Sequence, residues 1–173
     1  MIPLSMKRIF TALVCVTVLL AAGCSKKAKE VPEVTKMEAA TLISEAQFAM
    51  SIREYGRAEE LIQRAIDLTD EVPEYWVSLG MTRRKQDNTD GARIAYKRAL
   101  EMHKDRYEES KKPEELAQQA FVLALLGKTD EALKVLENGL KQYPDSPAMK
   151  KMADPRGLPS TFQRAEFKEL AVN

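Results

Sequence analysis

The sequence has one histidine, two cysteines, seven glycines, eight prolines and 6% aromatic residues in 173 positions. A lone histidine, His103, leaves a histidine-based catalytic triad or a histidine zinc cluster without members. The glycines are too scattered for a G-x-G-x-x-G turn or a Walker loop, so no phosphate cradle is present. So few glycines and prolines mean long elements, and the shortage of aromatic and β-branched residues beyond position 20 excludes an all-β chain. There is no excess of either charge: 27 Lys and Arg stand against 26 Asp and Glu, a net +1 without the basic footprint of a nucleic-acid binder. No apolar run reaches the roughly 20 residues of a membrane-spanning helix. What fills the chain is Ala, Leu, Glu, Lys, Gln and Arg, with 45% hydrophobic and 31% charged residues in about one domain's length. The expected class is all-α.

Lys7 and Arg8 precede an uncharged stretch from Ile9 to Gly23, the length of a signal-peptide h-region. Its end, Leu20-Ala21-Ala22-Gly23-Cys24, resembles the lipobox of bacterial lipoproteins. The resemblance implies that residues 1–23 are a lipoprotein signal peptide and that Cys24 carries a diacylglyceryl group and an N-acyl chain such as palmitate. Cys15 then leaves with the signal, so no disulfide, thiolate metal ligand or catalytic thiol remains. At about 0.8 kcal/mol per buried methylene, two or more chains anchor the protein to a membrane without spanning it. Ser25, where the lipoprotein sorting rule reserves Asp for retention, implies the outer membrane and its periplasmic face. Met1 and Met6 both stand as starts. Residues 24–38 are polar and interrupted by Pro32, which predicts a flexible tether behind the lipidated cysteine.

From residue 39 the chain repeats. Trp76-x-x-Leu79-Gly80 is followed by Ala92-x-x-x-Tyr96-x-x-Ala99, and this spacing resembles the tetratricopeptide repeat (TPR). Leu42, Ala46, Ala49, Ala58, Ile62 and Ala65 lie 34 positions earlier; Leu116, Ala120, Leu123, Ala132, Leu136 and Pro144 lie 40 later, which implies a six-residue insertion. The resemblance implies a right-handed superhelix of about three helix-turn-helix repeats, at 39–72, 73–112 and 113–146, with a C-terminal cap or tail at 147–173. Small residues at the helix crossings let backbones approach, larger ones fill the gaps, and stacking supplies the neighbour that a single hairpin lacks. The turns at Asp87-Asn88-Thr89-Asp90 and Gly127-Lys128-Thr129-Asp130 each offer a helix stop followed by N-cap chemistry.

Glu45 and Gln119 replace the Leu of the repeat, Arg83 replaces its Tyr, and Gly139 its Ala. The charged insertion from His103 to Lys112 either lengthens a helix or forms the connector before Pro113. Ser146-Pro147 predicts a short helix ending before Asp154-Pro155, and Ser160 with Gln163 a capping box ahead of Phe162, Ala165, Phe167 and Leu170. This tail either caps the last hairpin or binds a partner.

Glu59-Glu60 and Glu114-Glu115 are adjacent acids of the kind found on a solvated helix face, so no catalytic residue, cofactor or metal is assigned. In the repeat family ligands lie along the first helices. The matching positions here are Ile43, Gln47, Met50, Val77, Met81, Arg84, Ala117, Phe121 and Ala124. Most are apolar and do not reproduce a carboxylate clamp, whereas Met50, Met81 and Phe121 suit an apolar or amphipathic segment. The resemblance therefore implies a membrane-anchored adaptor or scaffold of the bacterial cell envelope that binds a protein partner by its concave face. Two other readings stay open: an envelope or cell-wall-processing enzyme acting through surface carboxylates, and a structural subunit that self-associates through its repeat ends. Met81 and Phe121 either meet that partner or the chain's own tail.

Overall fold

The computed structural model describes residues 31–172; the expected signal peptide, residues 1–23, and Cys24, the expected lipidation site, lie outside the described residues. Six helices form three antiparallel hairpins: α1 (Glu33–Ser51) with α2 (Tyr55–Leu68), α3 (Pro73–Lys85) with α4 (Thr89–Ser110), and α5 (Pro113–Leu125) with α6 (Thr129–Gln142). Three short helices follow, α7 (Pro147–Ala153), α8 (Leu158–Gln163) and α9 (Ala165–Leu170), and there is no strand among the described residues. None of the described helices is long and apolar enough to cross a membrane.

The hairpin turns repeat with the sequence. Arg53, Asp87 and Gly127 adopt φ of 63°, 61° and 77°, and one residue later Glu54, Asn88 and Lys128 donate their backbone N–H to Ala49, Arg83 and Leu123 carbonyls at 2.9 Å. Each turn thus satisfies the end of a first helix through a left-handed residue, in the manner of a Schellman cap. The N-cap expectation holds at the second turn, where Asn88 Oδ1 accepts from Gly91 N at 2.9 Å. It fails at the third: Lys128 occupies the cap position, makes no side-chain cap bond, and Thr129 is already helical.

Two clusters make the core. One joins α1, α2 and α3 through Leu42, Leu61, Ile62 and Leu79, together with Ala95 of α4; the other runs from Tyr96 of α4 through α5 and α6 to Met149, Phe162, Phe167 and Val172. Trp76 packs against both, and its Nε1 donates to Asp70 O at 3.2 Å.

Two expectations change in detail, and one left open is resolved. The tether was expected to run to residue 38, but α1 starts at Glu33, directly after Pro32 at its N-cap, with acidic Glu33 in the first turn favoured by the helix dipole. The insertion takes the helical alternative: α4 is one 22-residue helix ending at left-handed Lys111, and Pro113 opens α5. Ser160 makes no capping box, because it lies inside α8 and its hydroxyl donates to Arg156 O and Gly157 O; the helix breaks instead at extended Arg164. The expected helix after Ser146 does form as α7, with Ser146 Oγ accepting from Met149 N at 3.2 Å.

Candidate functional site

The predicted binding residues fall into two groups. In the first repeat Gln47 is exposed, while Ile43 and Met50 are half-buried. Met50 Sδ accepts a hydrogen bond from Thr82 Oγ1 at 3.2 Å, so α1 and α3 are tied at this point. Val77 and Met81 of α3 are half-buried against the second core cluster. In the C-terminal half the positions are taken: Ala117 and Ala124 are buried, Phe121 lies edge-on to Phe167 with centroids 5.5 Å apart, and Arg84 Nε donates to Ala171 O at 2.9 Å. For Phe121 the alternative in which it meets the chain's own tail is therefore the one observed, and Arg84 meets the tail as well.

The chain does this by reversing direction. α7 packs on α6 and α5 as the cap of the stack; α9 then turns back to contact α3 and α5. Tyr96 OH donates to Leu170 O at 2.9 Å, Val172 N donates to Leu125 O at 2.8 Å, and Lys85 pairs with Glu169 at 2.9 Å. Tyr96 is fully buried, and burial pushes its hydroxyl well above the ordinary phenol range, so it stays a donor. Arg84 is held from behind, Nη1 donating to Thr89 Oγ1 at 2.9 Å.

Tyr96 was read from the sequence as a gap-filler, and its role as donor to the tail has no sequence signal beyond its repeat position. Phe162, Phe167 and Leu170 were visible as an apolar spacing, but the surface they would cover was not. His103 opens the charged insertion, yet it is 1% exposed, with Nδ1 donating to Glu115 Oε2 at 2.7 Å and its carbonyl accepting from Gln119 Nε2 at 3.2 Å. The periodicity explains this: the lengthened α4 lies against α5, and His103 occupies the face that continues Tyr96, Ala99 and Leu100.

The acidic pairs are split by their surroundings. Glu59 accepts from Arg83 Nε and Gln86 Nε2, each at 2.7 Å. Partial burial alone would raise its carboxyl, but those hydrogen bonds and the Arg83 charge outweigh it and hold the group below the usual carboxylate value. Glu115 is engaged by His103, while Glu60 and Glu114 are exposed. Among the described residues no group of three or more His, Cys, Asp or Glu is arranged to hold a metal ion.

A second surface lies at the other end of the array. Val34, Met37 and Phe48 of α1 and Ile52 just after it are 77%, 64%, 62% and 47% exposed. Phe48 occupies the repeat position of Thr82 and Val122, both fully buried. The stripe is the stacking face of the first repeat with no earlier repeat against it among the described residues.

Family models described as tetratricopeptide repeat match residues 73–106 and 113–153, which contain most of α3–α4 and all of α5–α7. Among solved structures the chain is similar to the Yersinia enterocolitica type III secretion translocator chaperone SycD, at 18% identity over 79% of this chain and 98% of that one, with a TM-score of 0.50. At that identity the likeness is one of fold. No curated protein matches the chain.

Proposed function

We propose that this tetratricopeptide-type array is a non-enzymatic adaptor of the bacterial cell envelope, anchored by lipid on Cys24 and binding a peptide or helix of a protein partner along its first helices. The observation that carries the binding part is the present use of that face: Arg84 of α3 and the Leu125 carbonyl of α5, joined by Tyr96 of α4, hold a protein segment largely by its backbone. The fold likeness to a translocator chaperone is in keeping with a protein partner. The lipobox-like run before Cys24 supports the anchor, and Ser25 supports the periplasmic face of the outer membrane. Glu59 and Glu115, one from each acidic pair, are engaged in structural contacts, which favours the adaptor over an enzyme.

The test combines fractionation and crosslinking. Cys24→Ser should leave the membrane fraction in high salt, and retention at wild-type levels would remove the anchor. A photoreactive residue at Gln47 should crosslink a partner protein in native membranes, and Met50→Glu should reduce that product about tenfold. Equal crosslinking from exposed Lys97, on a second helix, would remove the groove.

A second reading, self-association, is favoured by the exposed α1 stripe. It expects sedimentation to depend on concentration and Phe48→Glu to abolish that dependence; a monomer at every concentration excludes it.

A further inference from the structure

Leu158–Val172 differs from an ordinary cap. The cap position is already filled by α7, which packs on α5 and α6, and Met149 there is fully buried. The residues beyond it form two six-residue helices, each too short to be stable alone, joined by extended Arg164. They connect to α7 through the turn Asp154–Gly157, in which Pro155 and Arg156 are exposed.

The contacts divide by chemistry. The groove's part-buried polar contacts go to the segment's backbone: Tyr96 OH to Leu170 O, Arg84 Nε to Ala171 O, and Val172 N to Leu125 O. Its side-chain ion pair, Lys85–Glu169, sits at the edge. Apolar anchoring comes from Phe162, Phe167 and Val172, which are 2%, 7% and 2% exposed. Phe162 packs on Phe167 at 5.3 Å between centroids, and Phe167 on Phe121. Backbone donors and acceptors serve any segment that takes the same path, so the aromatic anchors are what select.

Part of the groove is held by contacts outside this segment. Arg84 is aimed by Thr89, and the Tyr96 ring is fixed across Gly80 of α3. At the start of the segment a cleft of about 230 Å³ remains between Ala117, Gln118, Phe121, Met152 and Leu158.

We propose that Leu158–Val172 is a displaceable internal ligand, and that the groove's partner is a protein segment of the same construction. That segment carries two aromatic side chains five residues apart, on two short helical turns separated by an extended residue, followed by an extended run ending in an aliphatic residue, and is bound by its backbone. The proposal rests on the adaptor reading and names the partner's chemistry. A tethered occupant competes at an effective concentration of about millimolar, so the intact chain binds such a segment weakly, and loosening the occupant strengthens binding.

The experiment uses the full chain and a labelled peptide of residues 158–172. The peptide should bind Phe167→Ala at least tenfold more tightly than wild type, and Glu169→Ala, which loses only the tethered segment's edge pair with Lys85, about threefold more tightly. A peptide with both phenylalanines replaced by Ala should not bind either variant. In wild type the amides of residues 165–172 should exchange at least tenfold faster than those of α5, and saturating peptide should speed them further. Equal peptide affinity for all three chains, or exchange of these amides solely by global unfolding, overturns the proposal. If the Gln47 crosslink persists while the peptide fails, the adaptor stands and the displaceable ligand falls. If the peptide exchanges but no partner crosslinks, the reverse holds.

Discussion

Gly80→Leu should abolish the cooperative fold or lower its thermal midpoint by on the order of 10 °C, and Gly80→Ala should already destabilise. A Cβ at position 80 would lie 2.3 Å from Tyr96 Cε1 and 2.5 Å from its Cδ1, closer than carbon atoms can approach. The ring has nowhere to go, because it is fully buried and its hydroxyl is held by Leu170 O. Overpacking of this kind costs about 1–3 kcal/mol, and moving the ring also removes a buried hydrogen bond of about 1 kcal/mol. Gly56→Ala is the matched control. It is also helical, but nothing lies within 4 Å of its Cβ site, so the same added methyl should stabilise by about 0.5–1 kcal/mol through helix propensity. Thermal unfolding followed by circular dichroism reads both signs. A Gly80→Ala midpoint equal to or above wild type would show that Tyr96 does not lie across α3 as described.

The three-hairpin plan was legible because small residues at fixed spacing leave few alternatives: Ala46, Gly80 and Ala120, like Ala58, Ala92 and Ala132, are all buried where helices cross. The departures from the repeat pattern were legible as departures, while their causes lie in contacts between elements distant in sequence. Arg83 replaces a ring because Glu59 of the preceding repeat stands 2.7 Å from its Nε. Gly139 replaces Ala because Met149 of α7 reaches within 3.0 Å of where its Cβ would be. Gln119 is buried in place of Leu because the longer α4 presents the His103 carbonyl to it. The candidate groove was legible as a set of first-helix positions, but its occupation was not. The return of the tail depends on a break at Arg164, and local sequence there favoured one capped helix over two short ones.

Leu79→Glu should leave no cooperative unfolding transition at neutral pH, whereas Glu45→Leu, at the same position one repeat earlier, should change stability by less than about 0.5 kcal/mol. Leu79 is fully buried among α1, α2 and α3, and losing its burial alone removes about 1.5–3 kcal/mol. A carboxylate there would lie among apolar side chains, and burying an unpaired charge adds several kcal/mol, so the sum approaches a domain's whole stability of about 5–15 kcal/mol. Glu45 escapes this because it faces the open end of the array, where it is exposed. The charge sets the sign of the pH dependence: protonating the new carboxyl removes the larger penalty, so Leu79→Glu should regain helical signal as pH falls toward about 5. Glu45→Leu should instead extend the exposed stripe of Met37, Phe48 and Ile52 and increase association in sedimentation. Equal stability losses for the two substitutions would mean that α1 is covered by a further repeat-like element and is not the end of the stack.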